Sequence, residues 1–291
     1  MTPVGTTLLR YLFNCQDTVL IAATVAATRE ASSYSQSLER GLAILCAFKP
    51  GRPLLGVSEL AREVRLSRST AHRYIATLSE LGYLRQDAAT RKYRLGPRVL
   101  DLGFSAINSM ELREISRPHL QQLSDETGHT VNMAILDGSD IVYVERVRSS
   151  SQRQREIDLN LHIGSRLPAY CTSMGKVLLA YLPDEERRAR LDDVDLTRRG
   201  PNTITDRAAL ATELARVRRD GVAVNNEELA YGLRSIAVPV RSQSGEVVAA
   251  INLAVHRSFV SMKELVAHLG PVLKRAADEI SAHLGYRASE G

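Results

Sequence analysis

The sequence predicts an α+β protein in two parts, and three observations support this. Residues 58–98 (SELAREVRLSRSTAHRYIATLSELGYLRQDAATRKYRLGPR) read as a helix, a tight turn, a longer helix and a basic hairpin. From residue 112 onward, strand-like stretches alternate with amphipathic helices. The length of 291 residues exceeds one ordinary domain, and 44% hydrophobic with 24% charged residues is the composition of a globular chain.

In the first part, residues 37–48 (SLERGLAILCAF) form a helix that offers Leu38, Leu42, Ile44, Leu45 and Phe48 for packing, so Cys46 reads as core. Gly51 and Pro53 break it. Ser58 is placed to cap a helix whose inward face is Leu60, Ala61 and Val64, and Arg65 and Leu66 make the turn. Ser67 caps the next helix, in which Ala71, Tyr74, Ile75, Leu78 and Leu81 recur on one face while Arg68, Ser69, His72 and Arg73 occupy the other. Strands over 83–85 and 92–95 flank a turn at 86–90, forming a wing. The whole has the outline of a winged helix-turn-helix.

Charge follows this pattern. Residues 1–110 carry 14 Lys and Arg against 8 Asp and Glu, a net of +6, while the remainder carries 24 against 25, or −1. A basic excess confined to the segment with a helix-turn-helix outline points to double-stranded DNA. Candidate DNA-binding residues are Ser67, Arg68, Ser69, Thr70, His72 and Arg73 at the leading edge of the second helix. A good bidentate contact there discriminates between bases by about 1–3 kcal/mol. Arg91, Lys92 and Arg94 in the wing suit phosphates or the minor groove.

Residues 98–110 continue as a helix with Val99, Leu100, Leu102, Gly103 and Ile107, suited to linking the parts and packing on a second copy. The expected boundaries are an extension over 1–34, a DNA-binding domain over 35–96, a linker helix over 97–111 and a second domain over 112–291. The apolar run at 18–28 mimics a secretory signal, but Asp17 abuts it and it is too short to span a bilayer, so a poorly ordered extension is expected. Cys15, Cys46 and Cys171 are odd in number and widely spaced, which fits a reducing cytoplasm. With no CxxC or HExxH spacing, neither a metal nor a cofactor is expected.

The second part opens with a helix over 112–127 ended by Gly128. A hairpin follows, with strands at 129–136 and 140–147 about an Asp137-Gly138 turn. A third strand is expected at 157–163, then helices at 174–181, 184–191 and 205–220. Strands at 235–241 and 247–256 flank Gln243-Ser244-Gly245, and one long helix over 262–284 closes the chain. Polar Thr172 and Ser173 directly precede an apolar helix, whose free N–H groups could hold a small carboxylate or whose start they could simply cap. Ser235 and Asn252 interrupt otherwise apolar strands, as cavity-lining groups would. Arg166 and Arg234 could supply a charge partner.

Five stretches, SLERGLAILCAF, LSRSTAHRYIATLSELGYL, RLPAYCTSMGKVLLAYL, NNEELAYGLRSIAVPV and GEVVAAINLAV, resemble the IclR-type transcriptional regulators in order and spacing from Ser37 to the end. The phrases SRLPAYCTSMG and GLRSIAVPVR look closest to the PcaR/PcaU/PobR branch, which controls the β-ketoadipate pathway. The resemblance implies an N-terminal winged helix, a linker helix and a GAF-like effector-binding domain, assembled as a homodimer or homotetramer on palindromic operator DNA. It implies effector contacts at Leu167, Ser173, Met174, Asn225, Ser235, Asn252 and Ala254, and protocatechuate, 4-hydroxybenzoate or β-ketoadipate as the ligand. Asn225 stands where some relatives carry an acid, and a neutral amide repels an anion less. Two other functions compete with a ligand-responsive regulator. One is a DNA-binding scaffold whose second domain only oligomerises. The other is an enzyme using Cys171 as a nucleophile beside a helix start.

Overall fold

A computed structural model describes residues 34–49, 51–108, 111–149 and 161–287. The chain divides into two compact units, Met1–Ser109 and Met110–Gly291.

In the first unit, α1 (Gln36–Cys46) is capped by the Ser35 hydroxyl, which accepts the Leu38 N–H. Helix α2 (Val57–Glu63) starts two residues earlier than a cap at Ser58 implies, because the Glu59 carboxylate reaches back to the Gly56 N–H at 2.8 Å. Ser58 therefore lies inside the helix and does not cap it. The turn is closed by the Leu66 N–H on the Ala61 carbonyl, with Arg65 at φ 52°. Helix α3 (Arg68–Glu80) is capped by Ser67, which accepts the Thr70 N–H at 3.1 Å. Its inward face is Ala71 and Ile75, with Tyr74 and Leu78 half-buried. Leu81 leaves that face: the helix ends at Glu80 and the side chain is exposed.

Strands β1 (Leu84–Gln86) and β2 (Tyr93–Leu95) form the hairpin, each shifted by about a residue from expectation. They pair antiparallel, Arg85 opposite Arg94, and Leu55 bridges Tyr93 as a third, one-residue rung. Asp87 accepts both the N–H and the hydroxyl of Thr90, which shapes the wing tip. The chain leaves the wing through Gly96, where an added Cβ would sit 2.1 Å from the Gly82 carbonyl oxygen. The core of this unit is Ile44, Leu55, Leu60, Ala61, Ala71, Ile75 and Leu84. Helix α4 (Arg98–Asn108) follows with Leu100 and Leu102 exposed. The expected contributions of Ile107 and of residues 109–110 lie outside the described side chains, as does the whole extension over 1–33.

The second unit is a six-stranded antiparallel sheet in the order β5-β4-β3-β8-β7-β6 between two helical layers. Helix α5 (Glu111–Thr127) leads into the hairpin β3 (Thr130–Asp137) and β4 (Asp140–Val147), with Gly138 at φ 62° in the turn. The expected strand at 157–163 is corrected. Residues 157–160 lie outside the described chain, 161–163 are not strand, and the strand beside β4 is β5 (Arg166–Pro168). A 3-10 turn, Ala169–Cys171, precedes α6 (Ser173–Ala180), then come α7 (Asp184–Leu191) and α8 (Arg207–Asp220). Edge strand β6 (Ala223–Asn226), not anticipated, pairs with β7 (Leu233–Arg241), and β8 (Val247–His256) closes the sheet against β3.

The expected C-terminal helix runs without a break over 262–283 but is not uniform. A short turn at Met262–Glu264 runs into a π-helical stretch, Leu265–Leu269, before α9 (Gly270–His283). Pro271 lacks an N–H and crowds the carbonyl four residues back, so the preceding turn widens and the Gly270 N–H bonds to Leu265. One face of the sheet (Val131, Met133, Ile236, Val238, Ile251, Leu253) packs on Leu120, Leu123, Leu273, Ala277 and Ile280 of α5 and α9. The other, with Ala134, Tyr143, Ala237 and Ala250, packs on α6 and α8 through Met174, Val177, Leu178, Leu210 and Leu214. The period-two alternation of each strand divides the two cores.

Candidate ligand site and nucleic-acid interface

The sheet register gathers the polar candidates on the α6 face. Asn225 of β6 lies opposite Ser235 of β7, Ser235 opposite Ala254 of β8, and Ala254 opposite Thr130 of β3. The next row is Ala223, Ala237, Asn252, Asn132 and Arg146, across five strands. From above, Ser173 at the start of α6 shares a 2.7 Å buried hydrogen bond with Ser235. Gly175 lets the preceding 3-10 turn fold back against α6: a Cβ there would sit 2.2 Å from the Ala169 carbonyl oxygen. Thr172 caps the helix by accepting the Gly175 N–H at 3.1 Å, the bland role open to it from sequence.

Six of the seven expected contacts, Ser173, Met174, Asn225, Ser235, Asn252 and Ala254, thus meet between one sheet face and one helix. Leu167 packs at the edge of the same core from β5. Their roles differ. Asn225 is occupied structurally: its amide donates to the Cys171 carbonyl at 2.7 Å and accepts the Glu228 N–H at 3.0 Å, tying β6 to the start of α6. Asn252 accepts a 2.8 Å hydrogen bond from Asn132, and the Oδ1 of Asn132 in turn accepts one from the Arg146 guanidinium, also at 2.8 Å. Asn132 and Arg146 were missed. For Asn132, the signal was the same as for Asn252, an amide within an apolar strand (TVNMAIL).

The two arginines considered as charge partners are engaged elsewhere. Arg166 pairs with Asp137 at 2.6 Å and Asp140 at 3.4 Å, and Arg234 bonds Asn226 and the Val260 carbonyl. A buried cation does stand on α6 itself, on the side facing α8. Lys176, 1% exposed, reaches Glu228 at 2.6 Å and Glu213 at 3.2 Å. Burial raises the Glu228 carboxyl above its ordinary range even against the pull of Lys176. Burial also pushes the Cys171 thiol up to about 12, the opposite of what a nucleophile needs.

On the first unit, Arg68, Ser69, His72 and Arg73 are exposed along the outer face of α3, while Thr70 is half-buried. Ser67 and Thr70 are joined at 2.8 Å and Ser67 and Ser69 at 3.1 Å, so the cap is a small hydroxyl cluster. Lys92 departs from expectation: it is half-buried and paired with Glu59 at 3.0 Å, and that carboxyl is held below its usual range by the Gly56 N–H and by Lys92. Arg91 and Arg94 are exposed. Arg85, also exposed, faces Arg94 directly across the hairpin, and neither makes an ion pair among the described residues. Like charges placed opposite one another destabilise a hairpin unless an anion joins them, so Arg85 belongs with the candidate phosphate contacts.

Two family models cover these units, the IclR helix-turn-helix domain over residues 37–88 and the bacterial transcriptional regulator IclR C-terminal over 104–282. The chain belongs to the IclR family of transcriptional regulators. It is 38% identical over 251 residues to the Pca regulon regulatory protein of Pseudomonas putida, covering 86% of this chain and 84% of that protein. It is 34% identical to the p-hydroxybenzoate hydroxylase transcriptional activator of Acinetobacter baylyi, covering 85% and 91%. A solved IclR homolog from Microbacterium hydrocarbonoxydans, complexed with 4-hydroxybenzoate, superposes with a TM-score of 0.73 at 28% identity, covering 86% and 99%. An IclR-family regulator carrying a helix-turn-helix is a DNA-binding protein and not an enzyme, which disposes of the Cys171 alternative. No helix among the described residues is long and apolar enough to cross a membrane.

Proposed function

We propose that this regulator binds operator DNA through α3 and the wing and responds to a small aromatic or short-chain carboxylate held between α6 and the sheet. In this reading residues 35–96 grip the duplex, 97–111 link, and 112–291 sense. Two copies would place their winged helices on half-sites about one helical turn apart. The ligand would favour one arrangement of the sensing domains, and the linker helices would pass it to the spacing of the DNA-binding modules. The observation that carries the sensing half is the convergence of Ser173, Ser235 and Asn252 on one buried face. The relatives' associations with p-hydroxybenzoate and the Pca regulon support 4-hydroxybenzoate, protocatechuate and β-ketoadipate as ligands to try first.

Footprinting of the purified protein on the DNA upstream of its own gene, with and without each acid, tests this. The expected result is a protected palindrome whose affinity falls steeply with salt and whose pattern changes with one of the acids. Salt-insensitive binding, or none, contradicts the DNA half. An unchanged footprint and no heat of binding with every acid favours a second domain that only oligomerises.

A further inference from the structure

We propose that the start of the linker helix α4 is welded to the C-terminal end of α3, and that Arg98 is the positioning residue through which linker movement turns α3 on DNA. This deepens the proposed function and rests on its reading that the linker carries the ligand signal. Helix α3 ends at Gly82 in the left-handed region (φ 80°), and the Tyr83 N–H folds back to the Leu78 carbonyl at 2.8 Å. The Leu81 carbonyl, at the cap of α3, accepts from Arg98 Nη1 at 3.0 Å. A cation there complements the negative end of the helix dipole. The stem of Arg98 lies against Gly82, where a Cβ would meet its Cδ at 3.5 Å, and the head group stands 6.0 Å from the centre of the Tyr83 ring.

A Gly-Pro pair between a wing and a helix reads as a hinge, yet Gly96 serves the opposite purpose. It is buried, and its N–H donates to the Tyr83 carbonyl at 2.7 Å. A Cβ there would sit 2.1 Å from the Gly82 carbonyl oxygen and 3.1 Å from the Tyr83 carbonyl carbon, so the glycine lets backbone meet backbone. The chain thus leaves α3, makes the wing and returns to the point it left. Pro97 fixes its own φ, and the Leu100 N–H bonds its carbonyl at 2.8 Å, so the first turn of α4 starts on the junction itself. Gly82 and Tyr83 on one side and Gly96 to Arg98 on the other make one bonded block. A rotation of α4 passes through that block to α3, instead of being absorbed by φ and ψ changes at a loop glycine.

Two measurements on the full chain test this. Native-state hydrogen exchange should protect the Gly96 and Tyr83 amides to within about tenfold of Ile75 in the middle of α3. A Gly96 amide that exchanges at nearly the open-chain rate makes the junction a hinge and overturns the weld. Operator affinity is then measured with and without 4-hydroxybenzoate, protocatechuate and β-ketoadipate in the wild type, Arg98→Met and Arg98→Lys. The readout is the ratio of the two affinities, because lost stability or a lost phosphate contact lowers both alike. Arg98→Met keeps the stem and loses the donor, and should cut the ratio to about its square root or below, half of the coupling. Arg98→Lys keeps a cationic donor and should restore most of it. A folded Arg98→Met with the wild-type ratio overturns the role of Arg98 and leaves the ligand response standing. Should Arg98→Met not fold, the exchange result decides. A wild type whose operator affinity ignores all three acids overturns the ligand reading, and this inference with it.

Discussion

The two units bury opposite things. In the first, the described core is wholly apolar, and its arginines at 68, 73, 85, 91 and 94 stand exposed without an ion pair among the described residues. In the second, all the described buried polar residues are found, from Ser116 to Ser281, and many surface arginines are spoken for: Arg166, Arg187, Arg190, Arg216, Arg257 and Arg275 each pair with a carboxylate. Uncompensated charge outside and hydrocarbon inside suit a module that meets a polyanion with its surface. Satisfied polar groups inside suit a module that meets a small molecule in its interior. The chain divides its chemistry between a surface and a core.

The largest effect expected from breaking this contrast is at Lys176. Lys176→Met would strand the buried Glu228 carboxylate while Glu213 keeps Arg216 at 2.8 Å, and should cost about 3–5 kcal/mol in the second unit's unfolding by urea. Lys176→Met combined with Glu228→Leu removes both charges and should recover most of that loss. A double variant as unstable as the single one would mean that the pair itself, and not the stranded charge, holds the unit together.

Next in size is the first unit's surface. Arg73→Ala should weaken specific DNA binding by about 1–3 kcal/mol and relax sequence preference in a binding-site selection. Arg85→Ala should weaken binding to all sequences alike and lower the slope of log affinity against log salt by about 0.9. Relief of the Arg85–Arg94 confrontation should leave the unit's melting temperature unchanged or raised. A drop in melting temperature would make Arg85 a structural residue and return the wing's contacts to Arg91 and Arg94.

Legibility in the sequence divided along the same line. The first unit could be read almost residue by residue, because a cap at Ser67, an inward face at Ala71 and Ile75 and an outward basic face are all local, repeating every three or four positions. The start of α2 slipped by two residues and the wing ends by about one, Leu81 left the inward face and Lys92 turned to Glu59; Glu59 decides the first from a position that sequence reads as an ordinary helical glutamate. The second unit's hairpin, announced by Asp137-Gly138, was equally plain. What stayed hidden there depends on partners far away in the chain. Strands β5 and β6 are short edges whose identity comes from their neighbours. Lys176 sits in SMGKVLLAYL as any solvated lysine would until residues 213 and 228 fold around it. Arg146 acquires meaning only when β3 brings Asn132 opposite.

The smallest expected effect sharpens the contrast from the pH side. His129 follows α5 at the entrance to β3, half-buried, and burial holds its imidazole below the ordinary range while Glu264 pulls weakly the other way. Its pKa in the folded chain is thus lower than in the unfolded chain, so the fold prefers the neutral ring. The stability this lends is intact above the ordinary histidine value of about 6.5 and drains as pH falls through the lowered folded value. Melting curves of the wild type between pH 7.5 and 5 should show the second unit losing stability on acidification. His129→Gln, which cannot take up the proton, should lose less over the same interval and differ little above pH 7. The first unit buries no histidine among its described residues, and its transition should shift far less. Equal acid sensitivity in wild type and variant would place the proton-linked loss elsewhere, with the raised carboxyl of Glu228 excluded by sign: that group binds its proton more readily folded than unfolded, so acid favours the fold there.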